Sequence, residues 1–382
     1  DYQNDYVVHC LRNKRALILS PTSSGKSYII HLIQQHYYQA LGLRTLIIVP
    51  TVGLVHQMSS DFVDYGVDKD LIHKIQSGVD KSSTKPIVVS TWQSLTNMPK
   101  EWFDSFDVVI GDEAHNFKAK SLTTIMEKLS DCEYRFGFTG TISKKSQVNK
   151  LVLEGLFGAV KKIVSTKDLI DEGTIANLKV KALVLNHPLE DRKILKKTMK
   201  EIESNRRYNA EIEFLNNSEK RNIFIRNLLW SLEGQNNLVL FDRVEKHGKV
   251  LEPILKKDGR VLHFIHGGVK GDERERVRHE IENDPEKRHD ILASFGTFST
   301  GVNIKRLDNV IFASGSKSEI KILQSIGRSL RKGSDSEYAT LYDITDILST
   351  TAKENYTLLH FRERVQIYGA EKFPFKIYNI DL

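Results

Sequence analysis

Cysteine is scarce: Cys10 and Cys132 are the only two in 382 residues, and neither stands in a CxxC or a Cys/His cluster. A disulfide framework and a cysteine-based zinc site therefore have no support, and the pair fits a reducing cytosol. No apolar run approaches the ~20 residues that cross a bilayer, and the opening DYQNDYVVHC lacks the basic and apolar regions of a signal peptide. A membrane partner is not expected, and the cytoplasm is the expected location. Low-complexity tracts and short repeats are absent as well. What remains is globular composition, with 40% hydrophobic and 27% charged residues, enough for two or three domains. Lys and Arg number 56 against 49 Asp and Glu, and a net charge of +7 permits an anionic partner without identifying one. The chain begins at Asp1 within a functional-looking segment, so a further N-terminal domain is expected ahead of it.

Short β-rich runs alternate with helical patterns: RALILS (15 to 20), RTLIIVP (44 to 50), PIVVST (86 to 91), FDVVIGD (106 to 112) and YRFGFT (134 to 139). Such alternation predicts a parallel sheet covered by helices on both faces. Between 187 and 229 the apolar residues Leu195, Met199 and Ile202, then Tyr208, Ile212 and Leu215, recur at helical spacing, which predicts amphipathic connecting helices. The alternation resumes with NNLVLFD (236 to 242), RVLHFI (260 to 265), HDILAS (289 to 294), NVIFAS (309 to 314) and YATLYDI (338 to 344). A second α/β unit is expected there.

The sharpest local signal is SPTSSGKS, residues 20 to 27, between a strand and the helical run YIIHLIQQHYYQAL. A loop of small residues (Thr22, Ser23, Ser24, Gly25) opening a helix aims backbone N–H groups at a triphosphate. Lys26 supplies a cation there, and Ser27 a ligand for Mg²⁺. Ser20 occupies the position where the usual pattern has glycine. Next, VVIGDEAHN (108 to 116) ends an apolar strand in Asp112 and Glu113. Adjacent carboxylates can divide two tasks of phosphoryl transfer to water, one holding the metal and one orienting the water. A bland alternative, a solvated acidic pair, weakens once the strand is expected to neighbour that of the Lys26 loop.

With these motifs the chain resembles the superfamily 2 helicases of the DExH group, over nearly its whole length. Tyr2 and Gln3 resemble the family's adenine-reading Q motif. VPTVGLVHQ (49 to 57) and VVSTWQSL (88 to 95) resemble strand-tracking motifs, which implies nucleic-acid contacts at Pro50, Thr51, Gln57, Ser90, Thr91 and Gln93. On spacing alone several of these would be helix caps or turn residues. His115 and GFTGTI (137 to 142), with Thr139 and Thr141, resemble elements coupling the nucleotide site to the second domain.

In the second unit VLFDRVEKHGKVL (239 to 251) and HFIHGGVKGDERERV (263 to 277) resemble further helicase motifs, implying Arg243, His266 and Gly267 as strand contacts. SFGTFSTGVNIKRLDNVI (294 to 311) adds Thr297 and Thr300 as strand contacts and Gly301 and Asn303 at the nucleotide, Asn303 standing where many members carry Asp. QSIGRSLRKG (324 to 333) resembles the motif that carries arginine fingers: Arg328 and Arg331 are three apart on one helical face, with Gln324 ahead of them. Within the family the strings GDEAHNFKAKSLTTIM, FGFTGTISKKS and QSIGRSLRKG are similar to recombination and fork-repair motors of T-even phages, acting in the host cytoplasm.

The resemblance implies two tandem RecA-like α/β domains, at 1 to 165 and 231 to 382, joined by a linking and helical segment at 166 to 230. ATP and Mg²⁺ are expected in the cleft. The implied activity is 3′ to 5′ ATP-dependent unwinding or branch migration of branched DNA such as forks, R-loops and Holliday junctions, by a monomeric motor. RNA is a possible strand in RNA–DNA hybrids. The rivals are an RNA helicase, a duplex translocase without strand separation, and a scaffold that binds nucleic acid without hydrolysis.

Overall fold

The computed structural model describes the chain except residues 22–23, 77–79, 141, 143–146, 174–176, 285–286, 302–306, 316–337 and 352. It divides into two compact units, Asp1–Leu169 and Ile170–Leu382. Residues 170–230, most of the segment expected to link two domains, thus cluster with the second unit.

The first unit is built on seven strands: β1 (Arg15–Leu19), β2 (Thr45–Val49), β3 (Ile72–Ile75), β4 (Ile87–Thr91), β5 (Val108–Asp112), β6 (Tyr134–Thr139) and β7 (Val160–Lys161). All their pairings are parallel, in the order β3-β4-β2-β5-β6-β1-β7. β2, β4 and β5 are buried at every position, because helices cover both faces, and Val, Ile and Leu fill most of these positions. Three helices bear on the site: α1 (Tyr2–Arg12), α2 (Lys26–Leu41) and α3 (Val52–Asp64). One expectation is corrected. β5, which ends in Asp112, does not neighbour β1; β6 lies between them, pairing Leu19 with Thr139 on one side and Asp112 with Phe138 on the other. Strand order in a parallel sheet is set by crossover connections, which sequence spacing does not encode.

The second unit has β8 (Asn177–Asn186), β9 (Asn237–Phe241), β10 (Val261–Ile265), β11 (His289–Ser294), β12 (Asn309–Phe312), β13 (Tyr338–Ile347) and β14 (Phe375–Asp381). These are also all parallel, in the order β10-β11-β9-β12-β13-β8-β14. The helices expected between 187 and 229 are present as Leu189–Glu201, Arg207–Asn217 and Glu219–Ser231. β8, just ahead of them within the segment expected to link two domains, pairs with β13 from Asn177↔Tyr338 to Asn186↔Ile347 and so is integral to the sheet.

Two buried arginines brace β13 and the segment that follows β12. Arg364 donates through Nε to both Asp343 oxygens (3.0 and 2.8 Å), and the Tyr368 hydroxyl donates to the same carboxylate (2.8 Å). Arg221 pairs with Asp346 (2.9 Å) and donates to the Ala313 carbonyl (2.8 Å). The Arg364 guanidinium also lies so close to Gly315 that a Cβ there would come within 2.8 Å of it. The backbone at 313–315, which leads into QSIGRSLRKG, is therefore held from two sides. Arg364→Met would leave Asp343 as an uncompensated buried charge, a change that costs about 3–5 kcal/mol. Denaturant unfolding of the variant should show a loss of that size; a midpoint matching the parent would mean the pair is dispensable.

Candidate nucleotide and nucleic-acid sites

The loop after β1 is positioned by what surrounds it. Ser20 and Ser24, both fully buried, share a hydrogen bond (Oγ to Oγ, 2.6 Å), and Ser24 Oγ donates to the Pro21 carbonyl (2.7 Å). Ser20, the departure from the glycine pattern, thus works as a brace within the loop. From α1, the Tyr2 hydroxyl and Gln3 Nε2 both donate to the Ser24 carbonyl, each at 3.1 Å. Gly25 has φ of 75°, a left-handed backbone that favours glycine, and a Cβ there would lie 2.2 Å from Gln3 Nε2 and displace that side chain from the loop. The chain then enters α2, whose first residue, Lys26, donates to the carbonyls of Ser20 (3.4 Å) and Pro21 (3.2 Å). Ser27 Oγ meets the Tyr65 hydroxyl at 3.2 Å, a partner that sequence reasoning missed because Tyr65 carries no motif signal. Thr22 and Ser23 lie outside the described residues.

Asp112 and Glu113 leave β5 in different directions. Glu113 adopts φ 49°, ψ 50°, a left-handed conformation that costs a residue with a Cβ about 1–2 kcal/mol. Its N–H donates to Asp112 Oδ1 (2.9 Å), while its carboxylate lies 3.3 Å from His115 Nδ1. His115 Nδ1 is also 3.0 Å from Thr139 Oγ1, and the Thr139 carbonyl accepts from Ser20 N (3.0 Å). Thr139, wholly buried at the end of β6, therefore connects the acidic pair with the start of the loop. Asp112, Glu113, His115 and Thr139 are brought together as expected; Thr141 lies outside the described residues.

Burial, reinforced by the neighbouring Glu113 carboxylate, pushes the Asp112 carboxyl up to about 6; the Lys26 charge, the Glu113 N–H and His115 oppose it. A group raised in this way is protonated below about pH 6, and binding a cation there must first expel the proton. On the expectation that Asp112 serves the metal of a bound nucleotide, apparent affinity for ATP with Mg²⁺ should be level above pH 7 and fall by up to about tenfold per unit below pH 6. Nucleotide titrations at several pH values check this; an affinity that holds constant down to pH 5 would contradict it.

The strand-tracking candidates of the first unit collect at the last two residues of β4 and in the segments that follow β2 and β4. Thr51 caps α3, its hydroxyl accepting from Leu54 N (3.4 Å), and Gln93 Nε2 donates to the Pro50 carbonyl (3.4 Å). Ser90 and Thr91 are buried: Ser90 Oγ donates to the Thr91 carbonyl (3.1 Å), and Thr91 Oγ1 bonds Ser94 Oγ (3.0 Å). Gln57 is half-buried on α3 and Gln93 is exposed.

In the second unit Arg243 follows β9 and donates to Asn209 Oδ1 (2.5 Å). His266 and Gly267 follow β10, and His266 Nδ1 accepts from Gly268 N (3.1 Å). Thr297 follows β11, is buried, and accepts from Ser294 Oγ (2.8 Å). A Cβ on Gly267 would come 3.9 Å from Thr297 Oγ1, so these two candidates are brought together. Ligands of open parallel sheets bind beyond the carboxyl ends of the strands, which is where Arg243, His266, Gly267 and Thr297 lie. Asn303, Gln324, Arg328 and Arg331 lie outside the described residues, as do the side chain of Thr300 and the surroundings of Gly301.

The family model for the type III restriction enzyme res subunit matches residues 1–144, and that for the helicase conserved C-terminal domain matches 219–333. The ATP-dependent DNA helicase uvsW of Enterobacteria phage T4 is 34% identical over 398 residues, covering 100% of this chain and 77% of the relative. The DNA 3'-5' translocase XPB2 of Sulfurisphaera tokodaii is 24% identical over 364 residues, covering 87% and 78% of the two. Among solved structures, the helicase domain of Pyrococcus furiosus Hef matches with a TM-score of 0.61 at 14% identity, with 97% of each chain covered. The two parallel sheets with their flanking helices are a tandem pair of RecA-like domains.

Proposed function

Since the chain belongs to the superfamily 2 helicases, and is an ATP-dependent helicase on that ground, we propose that it is a monomeric 3′ to 5′ DNA motor. It unwinds or branch-migrates branched DNA, such as forks, R-loops and Holliday junctions, in recombination and repair. The observation that carries this reading is the gathering of Lys26, Asp112, Glu113, His115 and Thr139 at the carboxyl ends of β1, β5 and β6. The relatives named for DNA unwinding and for 3'-5' translocation support the substrate and the polarity. Among the described residues no helix is long and apolar enough to cross a membrane. A role in the cytoplasm of a phage host is part of the same proposal.

In the proposed reaction the loop N–H groups at the start of α2 cradle the phosphates, and Lys26 exchanges its loop carbonyls for β- and γ-phosphate oxygens. Gln3, already in contact with the loop, reads the adenine, and Gly301 and Asn303 are further nucleotide contacts. The Ser27 hydroxyl and the Asp112 carboxylate are hard oxygen donors of the kind Mg²⁺ takes, and the ion would supply neutralising charge to the phosphates. Glu113, turned away from Asp112 by its left-handed backbone, orients the attacking water and takes its proton. His115 and Thr139 relay the state of that carboxylate to the loop. Arg328 and Arg331, with Gln324 beside them in sequence, offer guanidinium charge to the γ-phosphate.

Pro50, Thr51, Gln57 and Gln93 in one unit, and Arg243, His266, Gly267 and Thr300 in the other, follow the DNA backbone through polar groups and charge. Ser90, Thr91 and Thr297, expected from the resemblance as strand contacts too, are buried with their hydroxyls bonded within the unit and position these segments instead. Affinity for single-stranded DNA should fall steeply with salt, log K losing about 0.7 for each neutralised phosphate per tenfold rise, with little dependence on base sequence. Because Thr51 also caps α3, its loss would cost about 1 kcal/mol of stability; Gln57→Ala is the cleaner probe and should weaken binding uniformly across sequences. A flat salt response would contradict backbone binding.

The test of the function is strand displacement on forked DNA, an R-loop and a four-way junction in parallel, with and without ATP. All three should be remodelled only with ATP. Activity confined to duplex RNA would make the chain an RNA helicase, and ATP turnover with no displacement on any substrate would make it a translocase.

A further inference from the structure

We propose that His263, Glu280 and His289 form a binding site for a first-row transition-metal dication, Zn²⁺ by its donor set, on the second unit and apart from the nucleotide motifs. The three come from different elements: His263 from β10, His289 from the start of β11, and Glu280 from the helix Gly271–Asn283. One donor atom from each lies within 4.8 Å of the other two. His263 Nε2 and His289 Nδ1 are 3.0 Å apart, with ring centroids 5.2 Å apart and ring planes 27° apart. As they stand, the two nitrogens are at hydrogen-bond distance. An ion bonded to both nitrogens at about 2.05 Å in tetrahedral geometry would hold them about 3.3 Å apart. The required opening is a few tenths of an ångström, within reach of a small rotation of each ring.

The surrounding chemistry suits a soft-to-borderline cation. Burial lowers the proton affinity of both imidazoles, which favours the neutral form that ligates metals. Glu280 lies close enough to draw positive charge towards both rings; Arg276 and Lys287 oppose it, and Asp284 and Asp290 add to it, Asp290 being shared with Arg260. Two imidazoles and one carboxylate prefer Zn²⁺ and its neighbours to Mg²⁺, which takes oxygen donors. The helix that carries Glu280 is otherwise held to the sheet by Val277 and Ile281, both buried. A bound ion would fasten it to the free edge of the sheet, just after the His266–Gly267 segment.

The test is isothermal titration of the untagged full chain with Zn²⁺, in excess Mg²⁺ and without nucleotide. Cys10 and Cys132 do not confuse it, since both are buried in the first unit and burial raises both thiols. One ion per chain is expected. Glu280→Gln should weaken it by more than the about 10–100-fold lost when only an outer-shell partner is removed, and His263→Gln should abolish it. Asp112→Asn should leave it unchanged, and Zn²⁺ should raise the melting temperature of the parent and not of Glu280→Gln. No saturable binding, binding that survives Glu280→Gln and His263→Gln alike, or binding lost in Asp112→Asn would each overturn the site.

Discussion

Glu113→Gln is expected to bind ATP at parental affinity and to hydrolyse it about a thousandfold more slowly, the middle of the range for losing a positioned general base. The amide keeps the size of the carboxylate and can still bond His115, so the left-handed turn at 113 and the N–H bond to Asp112 should persist. It cannot accept a proton from water. The variant has a second, independent signature. Because the Glu113 charge is one cause of the raised Asp112 carboxyl, its removal should move the acid limit for nucleotide binding to lower pH. Single-turnover phosphate release, paired with nucleotide titrations across pH, reads both effects. Normal hydrolysis would take the water-orienting role from Glu113.

Arg331→Ala is expected to retain ATP and DNA binding and to lose DNA-stimulated turnover by about a thousandfold or more, the scale of an arginine finger. An exposed arginine acting only as a helix-end charge is worth under about 1 kcal/mol, so the two roles differ by orders of magnitude in rate. The expectation rests on the spacing in IGRSLRKG and on the helicase family of the chain. Arg331→Lys sharpens it, because a lysine keeps the charge and loses the planar fork, and should rescue little. Unwinding and hydrolysis should fall together; a variant that unwinds at the parental rate would require another source of transition-state charge.

The chemistry-bearing loops were legible in the sequence because their function is local. A loop of small residues before Lys26, and a carboxylate pair ending an apolar strand, place their groups through adjacent residues. The buried strands were legible because parallel strands covered on both faces are continuous apolar runs. β3, with His73 and Lys74 in a four-residue edge strand, gives no such run. β8 alternates lysines with apolar residues and sits in a helix-rich stretch, which hid its place inside the second sheet. Contacts between distant segments were not legible at all: β6 between β1 and β5, Tyr65 against Ser27, and Arg364 and Arg221 against Asp343 and Asp346. At Thr51 the sequence left a helix cap and a strand contact open; the structure shows the cap, and the strand contact is a proposal beside it.

The most direct measurement follows strand displacement and phosphate release in one reaction, on a forked duplex with a 3′ single-stranded arm, for the parent and for Glu113→Gln. The parent should displace the strand only while releasing phosphate, and Glu113→Gln should bind the fork with ATP and do neither. Displacement by Glu113→Gln at the parental rate, or phosphate release by the parent that the fork neither stimulates nor converts into separated strands, would contradict the assignment of this constellation as the engine of a DNA helicase.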